Sequence, residues 1–302
     1  MGPSLGLAAA VLWGVADFVA RAIARRIGAI RTALYLQVVG FLLLCIFFEV
    51  QGGFHRVFAA AGNGWQPWAW GALAGVLNAF AAVCFYSSLT QGKLSIVTPI
   101  AASYPALTLV LSMLSGEAVR WENILGIVIS LAGVVLAATT FDIADDRLDP
   151  PASSDASAHA HHTHVTSGVG WAAGAACAFG VMFWLIGYHV MPVLGGVASV
   201  WIIRLSTMVS LTVFALPTRH SICFPRGSVW WLIPIMAGCD TAAFLCNNFG
   251  LAHGPVSMVT MLASLFSAVT VLLAAIFLRE RLQRTQWLGI ALIFAGIILM
   301  NI

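Results

Sequence analysis

SGEAVRWENILGIVISLAGVVL, residues 115–136, and LRERLQRTQWLGIALIFAGIIL, residues 278–299, share one pattern. Slid by 163 positions, Glu117 falls on Glu280, Gly126 on Gly289 and Gly133 on Gly296. Each stretch reads as a helix end, a Glu-containing turn, a charged re-entry and an apolar helix with glycine at matching places. Trp13-Gly14 and Phe179-Gly180 stand at similar points earlier in the chain. The chain therefore reads as an internal duplication, with one copy over 1–141, a second over 168–302, and a polar His-rich segment at 142–167 between them.

The solvent of both copies follows from composition. Apolar residues make up 61% of the chain and charged ones 8%, where a soluble domain carries about 25% charged residues. Mean hydropathy is +0.96. Lipid solvates apolar surface that water would not, and roughly 20 apolar residues cross about 30 Å of hydrocarbon. Ten apolar runs of suitable length can be marked: 5–24, 33–50, 68–90, 94–115, 122–141, 168–190, 196–216, 228–252, 256–278 and 286–301. Inside lipid each run must satisfy its own backbone, so each is expected to be a helix. The expectation is an all-α integral membrane protein of ten transmembrane helices. Five spans is an odd number, so the second copy enters the membrane upside down, giving two inverted five-helix repeats. Such repeats are a transporter signature, with substrate bound near the midplane between them.

The breaks are polar or glycine-rich. Gly52-Gly53, Gly62-Asn63-Gly64 and Pro67 divide runs two and three, Gly195-Gly196 divides six and seven, and Pro255 opens run nine. Residues 142–167 hold five aspartates, Pro150-Pro151 and His159, His161, His162 and His164, with too few apolar residues to pack. A flexible linker is expected there. The N-terminal flank carries no positive charge, so the first run is not read as a cleavable signal peptide. The six cysteines form no CxxC pair and read as small buried hydrophobes. A net charge of +3, with one lysine, gives no footprint for nucleic acid.

The LWGVADFVAR start, the TPIAASYPAL stretch with Pro99 and Pro105, and the two GE/RE-then-LGI…G endings resemble EamA-type members of the drug/metabolite transporter superfamily. The resemblance covers nearly the whole chain. It implies a ten-helix, two-repeat carrier for metabolites, amino acids or toxic organic compounds, and many such proteins are exporters. It also implies an inner-membrane, multi-pass location with both termini in the cytoplasm. Protons are one coupling ion the family uses.

Polar residues inside apolar runs are the candidates for chemistry. Asp17 lies deep in the first run, one turn after Trp13 on the same face. A carboxylate at that depth is costly unless it faces a cavity or a partner. It reads as a proton site or a counter-charge for a substrate amine, with Trp13 as a stacking wall, or else as a structural group beside Arg21. Arg204 and Asp240 are the other ionisable pair. Arg204 either recognises a substrate carboxylate or bridges to Asp240. Gln37 takes the place in run two where many family members carry Arg. Asn78, Tyr86, Ser103, Tyr104, Trp184, Tyr188, Asn247, Ser264 and Ser267 complete the expected cavity lining. Pro99 and Pro105 are expected to kink their helix. Glu117 and Glu280 read as structural, bound to backbone donors or to Arg120 and Arg281.

The histidine run offers several imidazoles that would suit zinc, copper or nickel. It motivates an alternative, a divalent-metal transporter or metal-responsive carrier. A membrane-embedded enzyme is disfavoured, since HExxH is absent and only scattered polar residues are present. No cofactor is expected. The positive-inside count opposes the family on orientation, because Arg and Lys crowd the odd-numbered loops and would place those in the cytoplasm.

Overall fold

The computed structural model describes residues 1–50, 64–117, 120–139, 156–215, 229–279 and 284–299, with only the backbone for 156–167. Every regular element among them is helical. In chain order these are α1 (Gly2–Ile27), α2 (Ala29–Val50), α3 (Gln66–Gln91), α4 (Leu94–Ala101), α5 (Tyr104–Leu114), α6 (Trp121–Thr139), α7 (Ala156–Leu185), α8 (Met191–Ala215), α9 (Val229–Ala252), α10 (Val256–Ser264), α11 (Phe266–Leu273) and α12 (Arg284–Leu299). A π-helical turn at Ile186–Val190 joins α7 to α8, and another at Ala274–Leu278 follows α11.

Among the described residues, seven segments are long and apolar enough to cross a membrane. One of them, Gly168–Ala215, runs 48 residues. At about 1.5 Å per residue it exceeds twice the hydrocarbon thickness. It bends at Gly195, where φ is 70° and ψ 173°, a conformation open to glycine. Large apolar side chains such as Phe80, Ile46 and Val213 stand about 60% exposed on the outside of the bundle, as lipid-facing residues do.

Two runs drawn as continuous in the sequence are broken. The run 94–115 divides at Ala102-Ser103, just before Pro105 in the first turn of α5. Pro105 has no N–H to offer the carbonyl of Ala101, and Ser103 Oγ donates to Ile100 O at 2.7 Å across the break. Pro99 sits inside α4 without ending it. The run 256–278 divides at Leu265 without any proline. There Ser264 Oγ donates to Met261 O at 2.7 Å, and Ser267 Oγ to Ser264 O at 3.3 Å. Serine hydroxyls bonded back to the helix loosen the ladder locally. Ala102 and Leu265, the residues at the two breaks, are 163 apart, the offset of the two quoted stretches.

The expected linker is also changed. Helix α7 starts at Ala156, so the backbone of the second part of 142–167 is helical and continuous with the sixth apolar run. Ala156, Ala158 and Ala160 favour that state, and no glycine or proline intervenes before Gly168. Residues 142–155, Glu280, Arg281 and Cys223 lie outside the described residues. Of the described cysteines, Cys84 is buried, Cys177 is exposed, and all are free.

Contacts between the halves come in matched pairs. Helix α1 packs on α9, and α7 on α3. Thr270 Oγ1 donates to Gly14 O at 3.2 Å, while Thr108 Oγ1 donates to Gly180 O at 3.0 Å. A Cβ on Gly2 would lie 3.1 Å from Gly254 Cα, and one on Gly168 would lie 3.3 Å from Gly92 Cα. Helices α6 and α12 lie against each other, with Gly133 over Gly289 and Ile293. Gly71 and Gly75 on α3 leave room for Ile202 and Ser206 of α8, the small-residue packing that lets membrane helices approach.

Candidate functional site

Between the helices lies a cavity of about 70 Å³. Of the expected residues, Trp13, Asp17, Gln37, Asn78, Tyr86, Tyr104, Arg204 and Asp240 line it. They come from α1, α2, α3, α5, α8 and α9.

The polar centre is built on Arg204, which is 1% exposed. One guanidinium nitrogen, Nη1, donates to Gln37 Oε1 at 3.0 Å. The other, Nη2, donates to Asp240 Oδ2 at 2.5 Å and to Thr241 Oγ1 at 3.2 Å. The fork can lie against α2 because Gly40 has no side chain; a Cβ there would come within 3.1 Å of Nη1. The guanidinium also sits 5.5 Å from the Phe244 ring centre. The second oxygen of Asp240, Oδ1, accepts the indole N–H of Trp13 at 3.0 Å. Four helices, α1, α2, α8 and α9, are thus tied together around one ion pair. Asn78 Nδ2 donates to Thr207 Oγ1 at 3.1 Å, one turn along α8 from Arg204.

Asp17 is different. It is 8% exposed and faces the cavity, and its carboxylate has no hydrogen-bond or ion-pair partner among the described residues. The expected neighbour, Arg21, is buried one turn further along and is already engaged, but it does not line the cavity.

The remaining wall is aromatic, and the sequence reading missed most of it. Phe85, Phe179, Phe183, Phe244 and Phe266 join Leu36, Ala82 and Met182 in the lining. Tyr104 stacks on Phe183 with centroids 4.9 Å apart, and its hydroxyl donates to Thr260 O at 3.0 Å. Trp13 meets Phe183 and Phe244 edge-on, each at 5.9 Å. Helical spacing was the available signal: Phe244 lies four residues after Asp240, and Ala82 four after Asn78.

Six expected residues lie outside this lining. Ser103, Ser264 and Ser267 spend their hydroxyls on backbone carbonyls at the helix breaks. Trp184 Nε1 donates to Ser115 Oγ at 2.7 Å. The Tyr188 hydroxyl donates to Glu117 Oε2 at 2.5 Å, and Ser257 donates to Glu117 Oε1. Asn247 is fully buried elsewhere in α9, and its amide has no partner among the described residues. Glu117 was expected to bind backbone or Arg120. It instead bridges α10 and the turn after α7, while Arg120 pairs with Glu122 at 3.4 Å.

No group of three His, Cys, Asp or Glu suited to a metal ion occurs among the described residues. The side chains of His159, His161, His162 and His164 lie outside them. His189 stacks on Trp70 at 5.0 Å, and His253 Nδ1 contacts Phe249 O at 2.7 Å.

Apolar helices long enough to span a bilayer, packed around a polar-centred cavity, describe a multi-pass membrane protein. The chain belongs to the EamA-like transporter family, whose model matches residues 1–139 and 166–302, and so to the drug/metabolite transporter superfamily. A protein crystal structure shares the fold, with a TM-score of 0.67 and 17% identity, covering 99% of this chain and 95% of the other. An uncharacterized protein of Methanocaldococcus jannaschii is 44% identical over 54 residues, which are 18% of this chain and 39% of that relative.

Proposed function

We infer that the protein carries small organic molecules through the central cavity by alternating access, with its two halves rocking as inverted repeats. The observation that carries this reading is the cavity itself, lined from both halves by one buried ion pair and an aromatic wall. The matched contacts of Gly14 with Thr270 and Gly180 with Thr108 support a duplicated, inverted architecture. Ten crossings follow if Gly195 divides its 48-residue segment in two and α6 and α12 each cross once. The aromatic wall suits substrates with an aromatic or aliphatic body, amino acids included. Export, cytoplasmic termini and the inner membrane follow the resemblance to EamA-type carriers, and protons are the candidate coupling ion.

The test is thermal stabilisation of the purified protein by amino acids, nucleosides, organic cations and divalent metals, followed by counterflow of any hit in proteoliposomes. An organic hit that exchanges across the membrane supports the carrier. A shift with zinc or nickel alone, lost when residues 157–165 are deleted, would favour the metal-responsive alternative. A reporter fused before Met1 that is active in the cytoplasm supports the assigned orientation. A periplasmic signal would give the odd-numbered loops to the cytoplasm, as the arginine count has them.

A further inference from the structure

The inference concerns the charge of the substrate, and it rests on the carrier reading above. Three charged residues line the cavity: Asp17, Asp240 and Arg204. Two of them cancel. Arg204 and Asp240 form an ion pair whose side chains are 2% and 15% exposed. Each is also held by neutral partners. Gln37 and Thr241 take further N–H groups of the guanidinium, and Trp13 occupies the second carboxylate oxygen. Of the guanidinium nitrogens only Nε, buried, has no hydrogen-bond partner among the described residues; at the two forked nitrogens an incoming carboxylate would have to displace these partners and strand Asp240 without its counter-ion.

Asp17 is the charge left over. Its carboxylate is more than nine-tenths buried, faces the cavity and has no partner among the described residues. A buried carboxylate without a counter-charge is strongly unfavourable, and a bound cation removes that cost. The cavity it faces is lined largely by aromatic side chains. Trp13 is one turn away on the same helix, and Phe85, Tyr86 and Phe179 belong to the same lining. Aromatic faces attract cations and also accept an apolar body.

We propose that the cavity selects small organic cations, amines with an aromatic or aliphatic body, and that Asp17 is the substrate's counter-ion. The ion pair of Arg204 and Asp240 holds the cavity's shape and excludes anions. In a transport cycle the amine enters as a cation, pairs with the Asp17 carboxylate, and leaves intact on the other side. No covalent change takes place.

The experiment uses three probes of matched body and different charge: phenethylamine, phenylalanine and 3-phenylpropionate. Binding to the full-length protein in detergent is measured by calorimetry, for the natural chain and for Asp17→Asn and Asp17→Glu. Folding of each variant is checked by its helical circular dichroism and its elution as a single species. The expected result is binding of phenethylamine, weakening about tenfold or more in Asp17→Asn and partly restored in Asp17→Glu, with 3-phenylpropionate failing to bind; a tenfold change corresponds to about 1.4 kcal/mol. Equal binding of phenethylamine to Asp17→Asn would overturn the assignment. Preferential binding of phenylalanine or 3-phenylpropionate, unaffected by Asp17→Asn, would overturn cation selectivity and leave the carrier reading standing. Failure of all three probes, with no organic hit in the wider thermal screen, would overturn both.

Discussion

Arg204 and Asp240 lie 36 positions apart on neighbouring helices and meet at 2.5 Å, the arginine buried, the aspartate half-buried, and each held by a further neutral partner. A pair of this kind holds its helices in register only while both members are present. Removing one leaves a stranded charge, which costs about 3–5 kcal/mol, whereas replacing both with apolar groups is often neutral. We therefore expect Arg204→Leu and Asp240→Leu to lower the melting temperature in detergent more than the double variant does. Losses in the two single variants that simply add in the double would show that the pair is not coupled.

The glycines where the halves meet should behave alike. A Cβ on Gly14 would fall 2.5 Å from Val269 Cβ, and one on Gly180 2.9 Å from Leu107 Cβ. Gly14→Ala and Gly180→Ala should each destabilise by about 1–3 kcal/mol, the usual cost of overpacking. Chemical denaturation in detergent measures this. A large loss at one glycine with none at the other would contradict the equivalence of the two contacts.

Glu117 ties one end of the bundle. Its carboxylate, in the α5–α6 connection, receives hydroxyls from Tyr188 and Ser257. A double-mutant cycle between Glu117→Gln and Tyr188→Phe should return a coupling of about 0.5–3 kcal/mol. Glu117→Ala should also change the rate of counterflow more than the affinity for substrate, because the residue is outside the cavity. An affinity loss with unchanged rate would place it in the binding site instead.

What the sequence made legible follows from contrast. Asp17, Arg204, Asp240, Gln37 and Asn78 stand out because a polar group in an apolar run needs a reason, and all five face the cavity. The phenylalanines of the wall carry no such contrast. Phe183 is buried in the lining and Phe80 is 58% exposed on the outside, yet both are simply Phe in an apolar helix. The serines misled for a related reason: Ser103, Ser264 and Ser267 are polar in apolar runs but satisfy themselves on their own backbone. The break at Pro105 had a chemical signature. Its counterpart at Leu265 had none, and only its 163-residue offset from Ala102 relates the two. Ten apolar runs were visible as runs, but continuity across Gly195 and the helical start at Ala156 depend on local geometry that composition does not encode.

The central claim is that substrate passes through the cavity between the halves. Ala82 lines that cavity and is 6% exposed, so Ala82→Phe would fill space there without adding charge. Counterflow in proteoliposomes, using the organic ligand that stabilises the natural chain, tests the claim most directly. The account predicts that Ala82→Phe folds, as judged by its helical circular dichroism and elution, and loses counterflow together with ligand-induced stabilisation. A folded Ala82→Phe protein that transports at the natural rate would contradict it.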